Sequence, residues 1–368
     1  MKLSSEIQQR IAMIRFFMIF GIVMLHTPQY VPLPELGNNT FDIVKGFVQN
    51  AIFRATVPVL STISGFLLFH ANLDRDFGAL LKKKFKTLVV PFLAFNLPLL
   101  CVAYLASKYI GLQLPYDLAG ADAMAWLNAA FGIEGSPINY PLNFLRDLVV
   151  IMLMAPLFSL YLRRNPFVGL VVVAVIFMLN LDGPLILRNT MPITFYIGAM
   201  AAVCNWNLKA LDRFAFLCIG LFLAACCIVI TFRIPNLTLL RLVSVFLLWP
   251  ASAVLYDTAI GKWLARKSKY SFFIFVSHAP LLAVSWMLYR KYSSLIPYEL
   301  YWLLTPLIVS GTLILLYKLA MQLFPAFFSF ITASKPVKKV PEPAPVLPVP
   351  ADPEEAFWSV RHKTGTAD

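Results

Sequence analysis

Charge is scarce in this chain: 13% of its 368 residues are charged against 60% apolar, and only 18 are Asp or Glu. A soluble domain averages about a quarter charged residues, so the sequence lacks the polar surface to cover a water-soluble globule of this length. A cytosolic enzyme is excluded. Cysteine and histidine are few as well. Cys101, Cys204, Cys218, Cys226 and Cys227 all fall inside apolar blocks, without metal-ligand spacing or a loop partner, and read as free membrane thiols. The four histidines lie in separate segments with no carboxylate or cysteine at ligand spacing, so no metal site is expected. The net charge of +13 is the basic excess that cytoplasmic loops of a helical membrane protein carry, and no nucleic-acid partner is expected.

What is present is a series of apolar blocks of about twenty residues, the length that crosses a hydrocarbon core of about 30 Å. They lie near 12–31, 52–70, 87–107, 143–162, 166–181, 191–205, 214–232, 240–258, 271–289 and 301–323. The expected fold is therefore all-α, a polytopic membrane protein of about ten transmembrane helices, the fifth and sixth short. The first block is long and lacks a small-residue cleavage site, so it is expected to stay as the first span. With the N-terminus in the cytoplasm, most of the 31 Lys and Arg fall on that side, including Lys82, Lys83, Lys84, Lys86, Arg163, Arg164, Lys262 and Arg266. An even span count puts both termini there. The connection over 108–142 is long enough to fold over the external mouth. A membrane domain is expected over 1–333, followed by a Pro-rich cytoplasmic tail over 334–368 that cannot bury enough apolar surface to order itself.

Within a span an ionisable group costs at least about 2.5 kcal/mol and needs a partner, a wet cavity or a task. Arg15 and His26 lie in the first block, eleven residues apart. That is about three turns and about 16 Å, which puts both side chains on nearly one face with the imidazole close to mid-membrane. Two readings are open for them: an interfacial anchor and a packing histidine, or a functional pair. The second block holds Arg54 and the run VPVLSTISGFLLFH, where Ser61, Thr62, Ser64 and Gly65 suit small-residue helix packing. KKKFKTLVVPF gathers four lysines before the third block, either as a topological anchor or as a grip on a phosphate-rich ligand. In PLNFLRDLVV, Arg146 and Asp147 are adjacent; neighbours on a helix point apart, so each is expected to pair elsewhere. SFFIFVSHAPLL places His278 in the ninth block. His70 and His362 read as ordinary solvated residues.

Taken in order, these blocks resemble the acyltransferase-3 family of bacterial integral membrane acyltransferases that modify cell-surface glycans. Arg15 with ten residues before His26 is similar to the family's Arg-x10-His motif, and RATVPVLSTISGFLL to its second-span block. KKKFKTLVVPF sits where the family has an Arg-x-x-Arg element, PLNFLRDL resembles its Trp-Phe-Leu-Arg-Asp-Leu block, and FVSHAPLL its late His-containing span. Two departures stand out. Lys83 and Lys86, or Lys84 and Thr87 in the other register, replace the arginines, and Lys lacks the bidentate fork of Arg; Asn143 stands where the family has Trp. No esterase-like domain follows the tenth block, so the membrane-only form is expected.

The resemblance implies transfer of an acyl group, most often acetyl from acetyl-CoA as co-substrate, to a hydroxyl of a glycan or lipid-linked sugar at the bacterial cytoplasmic (inner) membrane. In that scheme His26 is the general base and Arg15, Lys83, Lys84 and Lys86 attract the CoA phosphates. Arg54, Ser64, Arg146 and His278 are candidates for stabilising the oxyanion or holding the sugar. Direct transfer and an acyl-histidine intermediate both stay open. The competing class is a transporter or flippase of a glycan-related substrate, which ten spans and mid-membrane Arg and His would also serve.

Overall fold

Inside lipid a backbone N–H finds no water, so a spanning segment must close its hydrogen bonds within itself. The computed structural model describes residues 3–111, 118 and 120–334, and among them all regular structure is helical. The tail expected to be disordered lies outside the described residues from 335 onward, as does His362. The main elements are α1 (Ser5–His26), α2 (Thr40–His70), α3 (Phe77–Tyr109), α4 (Tyr140–Leu153), α5 (Ala155–Arg164), α6 (Pro166–Met178), α7 (Thr190–Val203), α8 (Asp212–Thr231), α9 (Thr238–Val254), α10 (Ala259–Lys291) and α11 (Tyr298–Leu323).

Six of these, α1, α2, α3, α8, α10 and α11, are long and apolar enough to cross a membrane, where ten apolar blocks were expected to do so. The remaining four blocks are helical but differ in kind. The block at 143–162 is bent by 55° between α4 and α5, and α6, α7 and α9 fall short of a full span. Their brevity has local causes. Pro166 opens α6 behind the Asn165 cap, which accepts from the Val168 N–H at 3.4 Å, so α5 cannot run on into it. The chain is a multi-pass membrane protein.

The helices form a shielded centre and a lipid-facing ring. About two thirds of α1 is covered by other helices, against 28% of α11. At the centre α2 crosses α7 with almost no space between backbones. A Cβ on Gly65 would meet the Phe195 carbonyl at 2.1 Å, and one on Gly198 would meet the Thr62 carbonyl at 2.0 Å. Ser61 Oγ donates to Met191 O at 2.9 Å and Thr62 Oγ1 to Thr194 O at 3.0 Å, which turns the small-residue stripe into glue between the two helices.

Both ends of α1 are tied down. Near its start the guanidinium of Arg10, fully buried, donates to Asp212 (2.7 and 3.0 Å), Ser252 Oγ (2.9 Å) and Trp249 O (2.7 Å), so the charge is paired and every hydrogen-bonding arm is used. At its end Pro28 stops the helix, and the buried Gln49 donates to Met24 O (2.8 Å), which also accepts from the Thr27 N–H, and to Thr27 O (3.0 Å). Gln49 lies in a π-helical stretch of α2, Phe47–Ala51; a second one, Phe85–Val89, follows the lysine cluster in α3. Such wide turns displace side chains relative to a regular helix and recur at functional sites.

Candidate active site

α1 delivers His26 in its last turn, and α10 brings His278 against it: Nδ1 of His26 and Nε2 of His278 are 2.9 Å apart, with the rings nearly parallel. The hydrogen-bond network fixes the protons for neutral rings. His278 Nδ1 lies 2.8 Å from Phe275 O and 3.1 Å from Ile274 O, and a carbonyl only accepts, so His278 carries its proton on Nδ1. Nε2 of His278 is then a lone pair and must accept from Nδ1–H of His26. It follows that Nε2 of His26 is the unprotonated nitrogen, the state a general base requires. His278 is fully buried, and it acts here as the group that holds the tautomer of His26.

The loop ahead of α4 completes the surround. Pro280 has no N–H and leaves Val276 O without its helical partner; Asn139 Nδ2 takes that carbonyl at 3.0 Å. The backbone N–H of Asn139 donates to Asn96 Oδ1 (3.0 Å), and Asn96 Nδ2 donates to Ala129 O and Ala130 O. With Asn139 and Asn96 both buried, the chain is pinned where Tyr140 meets the His26 ring edge-on at 4.9 Å between centroids. Tyr140 and Pro141, at the end of the long connection, thus supply a wall of the site.

His26 lines a cavity of about 530 Å³, within the range of small-molecule sites. Arg54, Arg188 and Arg241 share it, with Thr56, Asn189 and Thr238 and no carboxylate among its lining residues. A second cavity of about 370 Å³ is lined by Arg15, Ser64, Lys83 and Lys84. Phe144 and Phe275 line both cavities, and their rings pack edge to face at 5.7 Å. The three turns of α1 between Arg15 and His26 therefore bridge two chambers that meet at a pair of phenyl rings.

The expected site residues thus divide. Arg15, Ser64, Lys83 and Lys84 gather in one chamber, and His26 and Arg54 in the other, with His278 behind His26. Ser64 Oγ is spent on Leu60 O of its own helix at 2.8 Å. Lys86 is exposed and outside both chambers.

Arg146 is also outside them. Its guanidinium donates to the carbonyls of Gly132 (2.9 Å), Ile133 (2.8 Å), Pro184 (3.2 Å) and Leu185, and so ties two loops together. The expectation that Arg146 and Asp147 avoid each other is corrected: they pair at 3.0 Å. The long arginine arm reaches the carboxylate of the next residue although the two side chains leave the helix in different directions. Asp147 in addition accepts from the Leu187 N–H at 3.2 Å.

Sequence reasoning missed Arg188, Arg241, Asn96, Asn139 and Tyr140. Arg241, in TLLRLV, carried the same signal as Arg54, an ionisable group in an apolar block. Arg188 sits in a loop, and nothing in its neighbours sets it apart.

Residues 9–321 match the acyltransferase-3 family model, described as an acyltransferase domain. The chain is 34% identical over 350 residues to the succinoglycan biosynthesis protein ExoH of Rhizobium meliloti (strain 1021), which covers 90% of this chain and 94% of that protein. No solved structure matches. A base-ready histidine at the end of the first helix, set in the family's ordered blocks, agrees with this match over most of the chain: the protein belongs to the acyltransferase-3 family.

Proposed function

We propose that the protein transfers an acyl group from acyl-CoA to a hydroxyl of a cell-surface polysaccharide or its lipid-linked precursor. It does so in a bacterial cytoplasmic membrane, with both termini on the cytoplasmic side. The polysaccharide class follows from the relative named for succinoglycan biosynthesis, and acetyl is the acyl group the family resemblance implies. The observation that carries the reading is the free Nε2 of His26 in a chamber that abuts a second, basic one.

In this scheme Arg15, Lys83 and Lys84 draw the phosphates of CoA into the chamber beside the middle of α1. The thioester reaches the Phe144–Phe275 boundary, and the acceptor hydroxyl enters from the His26 side. Nε2 of His26 takes the hydroxyl proton as the oxygen attacks the thioester carbonyl; the tetrahedral intermediate collapses, the C–S bond breaks, and the imidazolium returns that proton to the CoA sulfur. A positioned base of this kind contributes about 10² to 10⁴ in rate. A covalent acyl-histidine is not needed for this balance.

Mass spectrometry of surface glycans from cells with and without the gene tests the assignment. An acyltransferase adds an acyl mass to a defined sugar. A change in glycan amount alone, with no acyl mass gained, would instead mark a transporter.

A further inference from the structure

We infer that the His26 chamber contains an anion-binding site in which Arg54, Arg188 and Arg241 hold a carboxylate or phosphate of one of the two substrates. The inference rests on the acyltransferase reading and narrows its substrate class. Three guanidiniums line this chamber with no carboxylate among its lining residues, and they lie close enough for each to feel the others' charge. Asp147, whose charge Arg188 feels, accepts from Arg146 and from the Leu187 N–H through Oδ1, and its Oδ2 makes no hydrogen bond to Arg188.

Partners within the protein are few. Arg54 Nη2 reaches Asn50 Oδ1 at 3.2 Å and its guanidinium stacks on Tyr30, while Arg54 Nε and Arg188 Nη1, both shielded from solvent, find no hydrogen-bond partner. Among the described residues neither the Arg188 nor the Arg241 guanidinium donates to any protein acceptor, whereas Arg10 and Arg146 are saturated. Clustered cations shielded from water without acceptors are costly unless a ligand supplies the negative charge. Planar guanidiniums match carboxylate and phosphate oxygens in pairs.

An acetyl group and a neutral sugar would leave these three charges unmatched. The anion belongs either to the acyl group, as the far carboxylate of a dicarboxylic acyl-CoA, or to the acceptor, as an acidic sugar substituent or a lipid-linked phosphate. The transient oxyanion at the reacting carbonyl carries a single charge and does not account for three arginines.

The full chain in liposomes is assayed with acetyl-CoA or succinyl-CoA against neutral and acidic oligosaccharide acceptors, for the wild type and for Arg188→Gln and Arg241→Gln. The expected result is a wild-type preference for the pair containing an anion. Each variant loses about ten- to a hundredfold in kcat/KM for that pair, mainly through KM, as loss of a charge-assisted hydrogen bond implies. Arg188→Lys restores part of it, and the loss for the neutral pair is smaller than that for the anionic pair. A preference that follows the CoA ester assigns the anion to the acyl group; one that follows the acceptor assigns it to the glycan.

Equal losses for neutral and anionic pairs, carried by kcat, would overturn the inference in favour of an oxyanion role. A second readout is independent of turnover: succinate or inorganic phosphate raises the thermal stability of the wild type and not of the Arg188→Gln, Arg241→Gln double variant. Should the wild type acylate nothing, the function reading fails while this binding readout still decides the anion site; equal stabilisation of both proteins would overturn it.

Discussion

The tautomer of His26 is decided by its neighbour His278. Two helix carbonyls fix the proton of His278, and His278 in turn fixes that of His26, so a fully buried histidine does what a carboxylate does in other base-orienting pairs. His278→Ala is expected to lower kcat about 10- to 100-fold, the usual cost of removing an outer-shell orienting partner, with little change in the acyl-CoA KM. Steady-state kinetics on reconstituted protein checks this; a variant that loses donor affinity with kcat intact would place His278 in the donor site instead. At this scale the sequence was legible in part. Arg15, His26 and His278 stood out because a charged or basic ring in an apolar block is conspicuous. Their pairing did not, since residues 26 and 278 are brought together only by the packing of α1 against α10.

Among the helices, the α2–α7 crossing sets the tolerance of the whole bundle. Gly198→Val forces side-chain atoms into the Thr62 carbonyl, where even a Cβ stands at 2.0 Å, and overpacking of this kind costs about 1 to 3 kcal/mol or more. Thermal unfolding in detergent is expected to show a clearly lowered midpoint, while Gly220→Val, on α8 with open space around it, leaves it nearly unchanged. The Phe144–Phe275 pair stands where the two chambers meet. Phe275→Ala is expected to raise acyl-CoA hydrolysis severalfold relative to transfer, because water then reaches the thioester; free CoA released without acceptor measures it. Apolar block length announced the helices, and the run STISG announced a packing stripe. The brevity of α6, α7 and α9 and the bend at Met154 were written in Pro and Asn positions that periodicity averages over. The two π-helical stretches depend on tertiary contacts and left no mark in the pattern.

For the molecule as a whole, the two chambers adjoin the middle and the C-terminal end of α1, and the proposed split between donor and acceptor divides the lysine cluster accordingly. Lys83→Gln with Lys84→Gln is expected to raise the acyl-CoA KM about tenfold with kcat held, whereas Lys86→Gln, exposed and outside the chamber, leaves it unchanged; equal effects of all three would mean the lysines act only as topological anchors. The histidine chamber was hidden from the sequence because its arginines come from three distant segments, 54, 188 and 241. The account stands or falls on His26 as the base, and the direct measurement is the acyl content of surface glycans, by mass spectrometry, in cells that carry His26→Ala at wild-type abundance in the membrane. The acyl mass is expected to vanish from the glycan; near-normal acylation by that variant would contradict the account.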